Sequence, residues 1–268
     1  MSLPLLDARL QQRHGDPNLI GKELIWQISD TIKHDPRSMQ RTLGPSEIGD
    51  PCARRIAYKL LQTSEVRERP PNWPATVGHG VHLWLADAFA PIEVDQGQER
   101  WFVETKLVVG EIDGHDIKGS CDLYDRVTAT VIDWKTTSKA KIEQYRKRGP
   151  GNLYRAQINL YGRGWRRIGQ PVDTVMIVFL PRDGGLDDAY VWHEAYDDQC
   201  AVDALTRLQG IARLVGIFGV DALGMLPTTE AYCLHCPYLR FNSSNLAEGC
   251  PGDPATLQPR AVLTVEGK

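Results

Sequence analysis

Hydrophobic and polar positions along the chain change period between its first third and its middle. Leu19–Lys33 reads as helical, ARRIAYKLL begins a second helix near Cys52, and Pro70, Pro71 and Pro74 mark a loop. In TVGHGVHLWLADAFA, Val77, Val81, Leu85 and Phe89 recur at the spacing of one helical face. The segments WFVETKLVVG, DIKGSCDLYDR and TATVIDWKTT are rich in β-branched and aromatic residues and read as three strands. A helix around Tyr154–Arg167 follows, then the strands DTVMIVFLP and AYVWHEAY, then a long amphipathic helix over Asp197–Phe218. The remainder, PTTEAYCLHCPYLRFNSSNLAEGCPGDP, has loop-forming composition. The order helix, three strands, helix, two strands, helix predicts an α/β core with a mixed sheet. Three segments are expected: a helical one over residues 1–75, a core over 76–220, and a cysteine-rich lobe and tail over 221–268.

At 268 residues and 42% hydrophobic composition, the chain can bury a sizeable core. No apolar run reaches the roughly 18 residues of a bilayer span, and MSLPLLDARLQQRHGD is too polar and acidic for a secretory signal. A soluble, cytoplasmic protein is the expectation. The formal net charge of −3 argues against a sequence-independent nucleic-acid coat. Charge distribution matters more than its sum. Between Thr136 and Arg167 there are nine Lys or Arg, among them Lys139, Lys141, Arg146, Lys147, Arg148 and Arg155, against Glu143 alone. A solvated surface is the bland alternative for such a run.

The candidate chemistry centres on GSCDLYD and VIDWKTT. Alternate strand residues share a face, so Asp133 and Lys135 point one way and Trp134 the other. If the two strands form a hairpin turning at Val127–Thr128, Asp122 lies directly opposite Asp133, about 5 Å away at Cβ. Carboxylates that close repel unless a cation sits between them. A hard divalent ion, Mg2+ or Mn2+, suits oxygen ligands and can polarise a phosphodiester and activate water. Lys135 would orient that water and offset charge on the phosphate. Glu104, in FVETKL, is a further candidate carboxylate, with exposure to solvent as its alternative.

Six cysteines in an intracellular chain do not suggest a disulfide framework. Cys233 and Cys236 form a C-x2-C knuckle, Cys250 follows in a Gly/Pro loop, and Cys52 lies far upstream. Together they offer four thiolates, which suit either a 4Fe–4S cluster or structural Zn2+. His235 is a candidate substitute ligand. Cys121 and Cys200 read as bystanders.

These motifs resemble the PD-(D/E)xK nuclease superfamily, in particular its RecB-like exonuclease branch. GSCD is similar to that branch's G-x-x-D strand, and DWK to its (D/E)-x-K, with Asp at the first position. Gly78-His79-Gly80-Val81-His82 resembles the upstream G-x-x-x-H element and selects His82 as a metal ligand. Gln157-Ile158-Asn159-Leu160-Tyr161 fits the Q-x-x-x-Y motif, whose two polar residues share a helical face. The iron–sulfur members of the branch, CRISPR-associated exonucleases included, place one cysteine before the core and three after it, as Cys52, Cys233, Cys236 and Cys250 stand here. The gap before Cys250 is longer than is common there.

The resemblance spans roughly Ser46 to Cys250. It implies a restriction-endonuclease-like core and a cysteine-clamped lobe carrying 4Fe–4S, joining the two ends of the chain. It also implies hydrolysis of DNA from an end, for recombination, repair or CRISPR-like processing, in a cell or a phage. A non-catalytic cluster-bearing DNA-binding subunit and a structure-specific endonuclease are the competing readings.

Overall fold

Alternation of buried and half-buried residues over Thr174–Phe179, with Val175, Ile177 and Phe179 inward, identifies an interior strand of the sheet. The computed structural model describes residues 17–35, 43–67, 70–90, 93–94 and 98–257. The N-terminal stretch judged too polar for a secretory signal, residues 1–16, lies outside the described residues. Two units are distinguished: residues 1–40 with 69–77, and residues 41–68 with 78–268. The first contains helix α1 (Pro17–Lys33).

The second unit is built on a five-stranded sheet of order β1–β5: Trp101–Ile112, His115–Asp125, Thr130–Thr137, Thr174–Pro181 and Tyr190–Ala195. Pairing is antiparallel except between β3 and β4, so the sheet is mixed. Helices α2 (Ala53–Leu60), α4 (Lys139–Arg148), α5 (Gly151–Arg167) and α6 (Asp198–Phe218) accompany it, as does α3 (Trp73–Phe89) from Gly78 onward. The parallel β3–β4 step requires a crossover, supplied by α4 and α5. Helix α5 packs on β1, β3, β4 and α6, burying Ile158, Leu160 and Trp165. Trp165 stacks on Tyr124 at 4.4 Å between ring centroids, and its indole N–H donates to Cys121 Sγ. Cys121 is therefore a core residue.

Three sequence expectations need correction. Residues 139–148 form a helix of their own, α4, N-capped by Ser138, whose oxygen accepts from the Lys141 amide. Pro74 lies inside the first turn of α3, where its missing N–H costs nothing. Finally, Asp198–Met225 is long and apolar enough, by length and composition, to cross a membrane. Part of its apolar content is spent on packing, since Ala201, Leu205, Leu208 and Ile211 belong to the core.

The β2–β3 hairpin sets the register of the later chemistry. Its pairs are Leu123 with Ile132, Tyr124 with Val131 and Asp125 with Thr130. Asp125 holds the turn: Arg100 donates to both its oxygens at 3.0 and 2.8 Å, and the Val127 amide and Thr128 hydroxyl donate as well. Burial works to raise its pKa, but Arg100, Thr128 and the Val127 amide more than offset this and hold it below the ordinary carboxylate value. A depressed folded pKa gives stability that is present above the unfolded pKa and lost as pH falls through the folded one. Asp125→Asn should therefore lower stability at neutral pH by about 1–3 kcal/mol. It should also flatten the acid limb of a denaturant-midpoint against pH profile; an unchanged limb would show that the turn is held otherwise.

Candidate metal centre and cysteine pocket

Extending the hairpin register by one pair beyond Leu123 and Ile132 brings Asp122 opposite Asp133. Backbone pairing stops there, and Asp122 Oδ2 instead accepts the Trp134 amide at 2.8 Å. On the other side of β2 the β1 ladder runs through Val103–Leu123 and Thr105–Cys121, leaving Glu104 facing Asp122. Glu104 adopts a left-handed backbone, φ 46°, a costly conformation for a residue with a long side chain. Ser120 fixes its carboxylate by donating to Oε2 at 2.6 Å. Ligand atoms of His82, Glu104 and Asp122 all lie within 4.8 Å of one another.

His82 reaches this group because α3 passes close to the end of β3. A Cβ on Gly78 would stand 2.9 Å from Thr136 Oγ1, so the glycine permits the approach, and His82 follows one turn later. Its Nδ1 lies 3.3 Å from Asp122 Oδ1. Burial disfavours the imidazolium, yet the Asp122 and Asp133 carboxylates raise the His82 pKa above its ordinary value. Gly119, in the strand before Asp122, has a similar steric reason: a Cβ there would meet Pro45 at 2.6 Å and Tyr161 at 3.1 Å.

Asp133 is buried, 2% exposed, and burial pushes its carboxyl pKa up, with Asp122 adding to the rise and Lys135 opposing it. Oδ1 accepts from Gln157 Nε2 at 3.0 Å. Oδ2 lies 2.6 Å from the Lys135 ammonium but has no aligned hydrogen-bond donor. A buried carboxylate oxygen without a proper donor, near the Asp122 carboxylate and the His82 imidazole, fits a divalent cation, as does the oxygen-rich set of His82, Glu104 and Asp122. Tyr161 is buried behind Gln157, to which its side chain hydrogen-bonds, and does not face solvent.

The structure separates the basic residues into different circumstances. Lys139 pairs with Asp188, Arg146 with Glu143, and Arg155 with Glu194. Lys141 lies over the Tyr145 ring at 5.2 Å and donates to Gln144. Lys147 and Arg148 are exposed in the last turn of α4, where cations also suit the helix dipole. Sequence reasoning missed Ser120 and Tyr154. Tyr154 could have been found, for it precedes Gln157 by three residues and shares its helical face.

Far from this centre in sequence, Cys52, Cys233, Cys236 and Cys250 line one small pocket, with Arg54, Arg55 and Tyr58. All four are free thiols. The Asp253 amide donates to Cys233 Sγ at 3.3 Å, backbone amides of Arg55 and Thr229 to Cys52, and Arg54 approaches Cys250 Sγ at 3.7 Å. Such donors stabilise thiolates, whereas burial raises the Cys52 thiol pKa and brings that of Cys236 up to about 11. Without a bound cation, Cys52 and Cys236 are held toward the protonated thiol. The donor set thus fits a thiolate-bound metal group. His235 is exposed and does not line the pocket.

No protein-family profile and no curated protein matches the chain. Among solved structures, an alkaline exonuclease from Laribacter hongkongensis is similar at 14% identity and a TM-score of 0.44, over 69% of this chain and 91% of that one. A phage-related exonuclease from Haemophilus somnus 129PT is similar at 14% identity and a TM-score of 0.37, over 62% and 82%. Likenesses this distant decide nothing about chemistry, which rests on the side chains described above.

Proposed function

We propose that the chain is a metal-dependent DNA exonuclease. The observation that carries this reading is the convergence of His82, Glu104 and Asp122 ligand atoms within 4.8 Å of one another, with the buried Asp133–Lys135 pair on the neighbouring strand. His82, Glu104 and Asp122 would hold a divalent ion, with Asp133 as a further candidate ligand. Mg2+ or Mn2+, when bound, would polarise the scissile phosphate and activate its water. Lys135 would offset charge gathering on the phosphate and orient the attacking water. Gln157 fixes Asp133 from behind, and Tyr161 fixes Gln157. The exposed cations of α4, Lys147 and Arg148 among them, would guide the strand through salt-sensitive phosphate contacts.

The preference for ends over internal sites rests on the RecB-like motifs of the sequence. Cytoplasmic action in recombination, repair or CRISPR-like processing, cellular or phage, is part of the same proposal. The cysteine pocket would carry a 4Fe–4S cluster, with Zn2+ as the alternative, in a structural role: it ties Cys52 at the start of α2 to the segment after α6.

Purified protein incubated with end-labelled linear DNA and with closed circular DNA, in Mg2+ or Mn2+, tests the activity. Linear DNA should be shortened and the circle spared, with chelator abolishing both metal-supported rates. Cutting of the circle would indicate an endonuclease. Binding without hydrolysis under every metal would indicate a non-catalytic DNA-binding subunit.

A further inference from the structure

Helix α5 presents one face to β3, and that face meets the strand residue by residue. Gln157 meets Asp133, and three residues earlier Tyr154 meets Lys135, whose Nζ lies 5.2 Å from the ring centroid. The Tyr154 ring is itself fixed. It packs edge-on against Tyr145 at 6.0 Å and lies 6.2 Å from Phe179, while Tyr145 stacks on Phe179 at 4.4 Å. Phe179 is the direct β4 partner of Lys135. The ammonium thus has two anchors, the Asp133 carboxylate and an aromatic face that two other elements, α4 and β4, hold in place.

The two anchors differ in kind. An oxygen of Asp133 that turns to a cation weakens its hold on the ammonium. A ring face attracts a cation through its quadrupole, supplies no competing ligand atom and leaves the ammonium's donors available. We propose that Tyr154 is a positioning residue for Lys135, keeping the ammonium directed at the scissile phosphate once Asp133 is engaged elsewhere. This rests on the nuclease reading for its kinetic consequence, though not for the contact itself.

Tyr154→Leu should lower kcat about 2- to 30-fold, the range expected for losing a desolvated cation–ring contact, with KM for a short duplex within about twofold of wild type. Tyr154→Phe should retain most of the activity, because the ring rather than the hydroxyl does the holding. Equal losses in the Leu and Phe variants would overturn the proposal in favour of a role for the Tyr154 hydroxyl, which neighbours that of Tyr145, and a rise in KM alone would make Tyr154 a substrate contact. A second readout does not depend on catalysis. In protein carrying 13Cε-labelled lysine, the Lys135 signal, assigned through Lys135→Arg, should show a ring-current upfield shift that Tyr154→Leu abolishes and Tyr154→Phe keeps. Absence of that shift in the wild type would sink the proposal even if the enzyme is active. If the shift is present and DNA is not cut, the nuclease reading fails while the contact stands.

Discussion

Asp133→Asn should remove hydrolysis of linear DNA, by at least about 1000-fold in kcat/KM, without lowering the melting temperature of the metal-free protein. The two halves of this expectation have one cause. Asp133 is a buried acid whose charge is disfavoured by burial and by Asp122, so the ionised carboxylate is a liability to the empty fold. Asparagine keeps an oxygen for the Gln157 amide and removes the repulsion with Asp122. Function and stability are often opposed at such sites. The loss of rate follows because the amide is a poor ligand for a hard cation and supplies no charge opposite it. Lys135→Ala should cost 100- to 10,000-fold, roughly the span for removing one positioned charged group, and Glu104→Gln should raise the metal concentration needed for half-maximal rate. Melting curves in chelator and rates across a Mn2+ titration check all three. An Asp133→Asn protein that cuts DNA normally, or that melts well below wild type in chelator, would refute this account of the site.

Cys233→Ala should do its damage in the opposite way, through stability. The cysteine pocket joins the turn before α2 to the chain after α6, and Cys233, Cys236 and Cys250 are core residues packed with Tyr58 and Tyr238. Bound metal is folding free energy when the site exists only in the folded chain. Loss of one thiolate, with its group, should lower the melting temperature by roughly 10 °C, as about 3–5 kcal/mol does in a chain of this size. Wild-type protein purified without air should show a visible thiolate-to-iron absorption band, absent from Cys233→Ala, if the pocket holds 4Fe–4S; zinc would give the same loss of stability with no band. Equal melting temperatures for the two proteins would show that the four cysteines hold nothing and that packing alone closes this part of the fold.

Much of the sheet was legible because alternation is a local signal. Asp133 and Lys135 share a face by strand periodicity, and the distances of Asp122 and Asp133 from the turn place them opposite each other, as the observed hairpin register does. Motif resemblance picked out His82 and Gln157, but the reasons they meet the site were not in the motif. Gly78 admits α3 to β3, and the face of α5 lies along the same strand. Helix α4 went unread because its basic composition looked like a charged surface. Its Ser138 cap and the crossover it helps to form make it a helix.

What the sequence determined by itself were the properties that depend on neighbours within a few residues: strands, the hairpin, the carboxylate–lysine face and the C-x2-C knuckle. The tertiary structure alone decided the left-handed turn of Glu104 toward Asp122, the sorting of basic residues into paired and ring-held, the ring beneath Lys135 and the meeting of Cys52 with its three distant partners. Each of these depends on which elements pack together. That is fixed by burial of surfaces far apart in the chain, and no local period records it.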